Sequence, residues 1–188
     1  MTEELQTYKK NVFTCAANGI HYLFHNKGNA HALTICSSMF QNARNVIRIA
    51  ARQLYNDEVV NQPDYIESMR SFLDRKGTRL QIIISRKPTR EQVGCGPSFY
   101  KMLYEHPAYR DGRVEIRDSE CKYILYKGKK VNFCTADDRM YRLETDIFQR
   151  QAVADFCDID STKTLNSLFD RIFVKLTSKV ELKEYFAS

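Results

Sequence analysis

The chain predicts an α/β domain in which a mixed sheet is flanked by helices, and three stretches carry that expectation. A strand–helix–strand unit runs from Asn45 to Ser85, a two-stranded ribbon turns at Asp137-Asp138-Arg139, and an amphipathic helix follows Ser161. The 188 residues suffice for one domain with a sizeable core. Apolar residues at 43% against 28% charged residues exclude a disordered chain.

Residues 1–28 show no decisive period. Asn11 to Phe24 fits either a strand pair or a broken helix, so the segment is read as an extension that completes the sheet or covers a dimer seam; residues 29–188 form the domain proper. Asn29 is placed to cap a helix in which Ala32, Leu33, Ile35, Cys36, Met39, Phe40 and Ala43 form a wide apolar surface. The β-branched residues Val46, Ile47 and Ile49 make Asn45–Leu54 a strand, ended by the polar Tyr55-Asn56-Asp57. Pro63 suits a first helical turn, and Tyr65, Ile66, Met69, Phe72 and Leu73 recur on one face up to Gly77. The apolar run Leu80–Ser85 then reads as a strand buried on both faces, parallel to the first.

Arg86 to Pro97 is polar and reads as a loop; Ser98 caps a short helix that Pro107 and Gly112 terminate. Val114–Arg117 and Lys122–Tyr126 are strands, with Lys127-Gly128-Lys129 as a turn. Asn132–Ala136 and Met140–Glu144 form the ribbon, and an acidic-aromatic stretch leads to the last helix. There Ser161 is the expected cap, and Leu165, Leu168, Phe169, Ile172, Phe173 and Leu176 share a face.

The formal charge of +6 is compatible with a polyanionic partner. The six cysteines (Cys15, Cys36, Cys95, Cys121, Cys134, Cys157) show no zinc spacing, so neither metal nor cofactor is expected. The N-terminus lacks an apolar leader, and no run approaches the roughly 18 apolar residues of a membrane span. The expectation is a cytoplasmic protein with reduced thiols and no membrane partner.

The phrases RNVIRIAARQLYND, PDYIESMRSFLDRKG with TRLQIIIS, and NFCTADDRMYRLETD followed by SLFDRIF, in this order, resemble a single phospholipase D-like module over about residues 30–176. The resemblance implies a site built on His-x-Lys-x4-Asp, whose histidine attacks phosphorus and whose lysine holds phosphate oxygens. Laid from Asn132, the three positions fall on Asn132, Cys134 and Arg139, and all depart. An amide is no nucleophile and does not titrate near neutrality, yet it donates hydrogen bonds to phosphate or sugar. The sequence therefore points to a degenerate member that binds a phosphodiester, nucleic acid or nucleotide, in a regulatory or accessory role. A place in prokaryotic defence follows only from fold analogy. Single modules of this family pair their sites by homodimerising, which implies a homodimer with the Asn132 regions facing each other.

The ligand-binding candidates are Asn132, Arg142, Glu144, Arg52, Gln53 and Asn56. Arg142 and Glu144 share a strand face, and the last three follow a parallel strand, where open α/β sheets place their ligand crevice. Lys127, Lys129 and Lys130, with Arg86, Lys87 and Arg90, suggest a basic rim with Tyr123 and Tyr126 as stacking surfaces. His21 and His25 would share a face only on a helix, and two histidines alone make no metal site. Two rival readings stand beside this one: an active phosphodiesterase or nuclease with a rearranged site using Asp137, Glu144 and a metal ion, and a protein-interaction module docking a larger partner.

Overall fold

The structure, a computed structural model, describes residues 2–94, 98–147, 149 and 151–186. Cys95 and the end of the expected loop at Pro97 lie outside the described residues. A seven-stranded mixed sheet of order β1-β9-β8-β7-β2-β3-β4 forms the centre of a single domain. Strands β2 (Val46–Ala51), β3 (Arg79–Ile84) and β4 (Val114–Asp118) run parallel. Strands β7 (Asn132–Ala136), β8 (Met140–Asp146), β9 (Gln151–Asp155) and β1 (Phe24–Lys27) continue the sheet antiparallel from β2. A separate hairpin pairs β5 (Leu125–Tyr126) with β6 (Lys129–Lys130) through Lys127 and Gly128, both at positive φ.

Helices α1 (Glu3–Asn18), α2 (Asn29–Asn42), α3 (Pro63–Leu73) and α5 (Phe99–Glu105) cover one face. They bury Val12, Ile35, Tyr65, Met69, Phe72 and Phe99 against Ile47, Ile49, Leu80, Ile82 and Cys134 of the sheet. The other face takes α7 (Ile159–Phe173), whose Leu165, Phe169 and Phe173 pack on Ala50, Ile83, Phe133 and Tyr141. Alternation along β7 thus sends Asn132, Cys134 and Ala136 toward α2 and Phe133 toward α7. Three short helices, α4 (Arg90–Gly94), α6 (Pro107–Arg110) and α8 (Lys183–Phe186), complete the set.

The sheet is wider than the sequence suggests. The undecided first segment is helix α1, capped by Thr2 and closed by Gly19 in the left-handed region, followed by edge strand β1. The acidic-aromatic stretch contains β9, whose Ala152 and Ala154 give little strand signal of their own. Three helix ends also move. Gly28 rather than Asn29 caps α2, and Asp158 caps α7, its carboxylate accepting from the Ser161 N–H at 3.0 Å. Helix α3 ends at Leu73, so Gly77 serves the turn beyond it rather than its C-terminus.

Candidate functional site

A cleft of about 380 Å³ opens where the carboxyl end of β2 meets the start of β7 and the end of β8. Its walls are the first turns of α2 (Gly28, Asn29, Ala32, Cys36), the turn after β2 and the α2-facing side of the sheet. All six ligand-binding candidates, Asn132, Arg142, Glu144, Arg52, Gln53 and Asn56, line this one cleft. The parallel strand supplies three and the ribbon three, which is why residues 80 apart in sequence meet.

The floor is a polar relay across five adjacent strands. Asn132 lies directly opposite Glu144 in the β7–β8 register. Its Nδ2 donates to Glu144 at 2.5 Å, and its Oδ1 accepts from the Arg52 backbone N–H at 2.9 Å. Arg142 places a guanidinium nitrogen 3.5 Å from the other Glu144 oxygen. Asn26 of β1 carries the relay outward: with the amide turned so that both of its neighbours are satisfied, its nitrogen donates to the Ala152 carbonyl at 2.9 Å and its oxygen accepts from Arg142 Nε at 3.2 Å. Asn26 is 1% exposed, and the Arg142 and Glu144 side chains are each 12% exposed, so this is no solvated surface network. Sequence reading missed Asn26; its signal is a polar residue between Phe24 and a glycine-led helix, unreadable until β1 is known to be a strand.

The Arg142 charge also acts on several buried groups. Burial pushes the Cys134 thiol well up, with Cys36 adding to the rise and Arg142 opposing it. Burial raises the Cys36 thiol too, again against Arg142. The Tyr65 hydroxyl is held well above its ordinary range, chiefly by burial. These groups stay neutral at physiological pH, so neither thiol lining the cleft is a ready nucleophile. Cys134 and Arg142 are register partners, which sets a guanidinium beside the buried thiol.

The α2 terminus adds to the positive character of the cleft. Gly28 sits at φ 85, ψ 174, a backbone region essentially reserved for glycine, and offers no side chain to cap the first turn. No acidic residue occupies that turn. The positive end of a 14-residue helix dipole therefore meets the cleft alongside Arg52 and Arg142. In the loop, Gln53 accepts from the Tyr55 hydroxyl at 2.8 Å, and Asn56 accepts from the Val59 and Val60 N–H groups. What both can offer a ligand is their amino groups.

Other candidates fall elsewhere. Asp137 lies at the far end of β7 from Asn132, where its carboxylate accepts from the N–H groups of Arg44, Asn45 and Val46 at 2.8, 2.8 and 3.0 Å. It braces the start of β2 and does not share a site with Glu144. Arg139, which the sequence aligns with the motif's aspartate, donates to the Phe156 carbonyl at 3.0 Å. The histidines share no helical face: His25 is in edge strand β1, whereas His21 precedes it and sits 3.0 Å from buried Asp155. Among the described residues, no three His, Cys, Asp or Glu side chains are grouped so as to hold a metal ion. Among them, too, no helix is long and apolar enough to cross a membrane. The basic rim is partly assembled: Lys130 lies 4.3 Å and Arg52 5.7 Å from the Tyr123 ring centre. Lys87 instead pairs with Asp118 at 3.4 Å, and Arg90 donates to the Glu184 carbonyl.

No protein-family model and no curated protein matches the chain. Solved structures do. NucT from Helicobacter pylori superposes with a TM-score of 0.58 at 14% identity, over 85% of this chain and 99% of that one. Nuc from Salmonella typhimurium, a phospholipase D family member, gives 0.52 at 11% identity over 85% and 97%. The fold is phospholipase D-like. The archaeal chromatin protein TrmBL2, whose structure shows a novel mode of DNA binding, gives 0.57 at 16% identity over 95% of this chain. The present chain spans 64% of that protein's length. At such identities the likeness is one of fold.

Proposed function

We propose that the cleft holds a phosphodiester ligand, nucleic acid or nucleotide, and does not cleave it through a phosphoenzyme. The observation that carries this is the convergence of Arg142, Arg52 and the α2 N-terminus on a cleft whose would-be nucleophile position is an amide, Asn132. The relay gives Asn132 one orientation, with its oxygen on a backbone N–H and its nitrogen on a carboxylate. Such an amide orders the site around a ligand, and it has no lone pair available to attack phosphorus. Arg142 supplies the phosphate-facing cation that Cys134 cannot. The basic charge of the chain and the DNA-binding chromatin protein among the structural neighbours support a nucleic-acid ligand. The role is regulatory or accessory, and the chain acts as a homodimer that brings two clefts face to face.

Fluorescence anisotropy with a labelled dinucleotide carrying a 5′-phosphate tests this. The parent binds it and releases no mononucleotide in a chelator-containing buffer. Asn132→Ala weakens binding, and Arg142→Met combined with Glu144→Gln, which strands no charge, weakens it at least tenfold. Chelator-resistant hydrolysis by the parent, or equal affinity in the variants, defeats the reading. Sedimentation of the parent measures the dimer: a monomer at all concentrations removes that part.

A further inference from the structure

The geometry points to a second, continuous binding surface, a track for an unpaired nucleic-acid strand that leaves the cleft over Arg52 and runs along the β5–β6 hairpin. This rests on the cleft reading and extends it from one nucleotide to a strand.

Charge distribution is the first observation. The turns at the carboxyl ends of β2, β3 and β4, together with the hairpin, carry Arg52, Arg86, Lys87, Lys122, Lys127, Lys129 and Lys130, all exposed. Within the same segments stand four carboxylates, Asp57, Glu58, Asp118 and Glu120. About half of the chain's net charge of +6 therefore lies along one rim. Balanced surface charge needs no partner, whereas a one-sided row of cations at a cleft mouth matches a polyanion.

Continuity is the second. Arg52 lines the cleft and also lies on the Tyr123 ring, and Lys130 lies on that same ring from the hairpin side. The Arg86 N–H bonds the Arg52 carbonyl at 2.8 Å, bringing the β3 turn alongside. Lys127 lies 5.3 Å from the Tyr126 ring centre at the hairpin tip. Cations thus follow one another from the cleft floor to the hairpin, interleaved with two tyrosines, the composition of a single-strand groove.

Size settles which form of nucleic acid. The cleft, about 380 Å³, is at the small end of ligand pockets and has room for one nucleotide. A duplex cannot offer one nucleotide to such a recess without extruding it, and an unpaired strand can. The neighbouring phosphates then fall on the rim, where Lys129 and Lys130 meet them.

The test compares a labelled 12-nucleotide single strand, as DNA and as RNA, with the corresponding duplexes, for the parent and for Lys129→Ala combined with Lys130→Ala. Both lysines are exposed, so folding is preserved. The single strand, of either sugar, binds the parent more tightly than its duplex does. In the variant single-strand affinity falls about tenfold, and the slope of log affinity against log salt becomes shallower by about 1.4, two contacts of about 0.7 each. The 5′-phosphorylated dinucleotide binds parent and variant alike. Equal single-strand and duplex affinity, or an unchanged salt slope with the dinucleotide still bound, refutes the track alone. No dinucleotide binding by the parent refutes the cleft reading and the track with it.

Discussion

Replacing Arg142 by methionine separates what this residue does for the fold from what it does for a ligand. The guanidinium lies 3.5 Å from Glu144 with both side chains 12% exposed. At an effective dielectric near 20, a pair at that distance attracts by about 5 kcal/mol. Removing one partner of a buried pair strands the other, at a cost of about 3–5 kcal/mol. The cleft admits water, which favours the low end, about 3 kcal/mol, and for a chain of this size that lowers Tm by about 6–12 °C. Adding Glu144→Gln removes the stranded charge and recovers about 2 kcal/mol, and since Glu144→Gln alone strands Arg142, a double-mutant cycle followed by urea unfolding reads a coupling of at least about 2 kcal/mol. Ligand affinity is not recovered in the double variant, because the cation is still gone. A coupling below about 0.5 kcal/mol would refute the ion pair and leave Arg142 a packing residue.

Thiol chemistry checks the interior. Iodoacetamide at pH 8 modifies exposed Cys121 first, whereas Cys36 and Cys134 react only on unfolding; early labelling of either, seen by peptide mass, contradicts their raised, buried state. The folded thiols bind their protons more tightly than the unfolded ones. Their contribution to stability is therefore whole below the ordinary thiol value of 9.0 and lost as pH rises beyond it, so urea midpoints fall on the alkaline side and a flat profile is the contrary result. Gly28→Ala meets open space but a forbidden backbone, and destabilises by about 1–3 kcal/mol in thermal unfolding; a neutral change denies that conformation. Asp137→Ala loses three accepted hydrogen bonds and about 2–3 kcal/mol, with dinucleotide affinity unchanged; loss of binding without loss of stability would return Asp137 to the site.

The fold was legible where periodicity was strong. Ile47, Ile49 and the run Leu80–Ser85 announce the parallel centre, and Leu165, Phe169 and Phe173 announce α7. Strands β1 and β9 were not legible, because one alternates over only four residues and the other is built on alanines. Caps at Gly28 and Asp158 went to neighbouring residues, since Asn29 and Ser161 carry equally good capping groups one and three positions later. The cleft's lining could be read from strand ends and face alternation alone. Its floor could not: the partnership of Asn26 with Arg142 joins residues 116 apart in the chain and depends on the unseen edge strand.

The five-strand relay ends at one side in β1, the outermost strand of the sheet, and at the other in the turn that frames the cleft. Any coupling carried by such a relay is reciprocal. A ligand that tightens the relay at Asn132 would slow opening of the margin at Asn26, and fraying at that margin would weaken its grip by the same factor. Amide exchange at the sheet's border thereby becomes a gauge of occupancy at its heart.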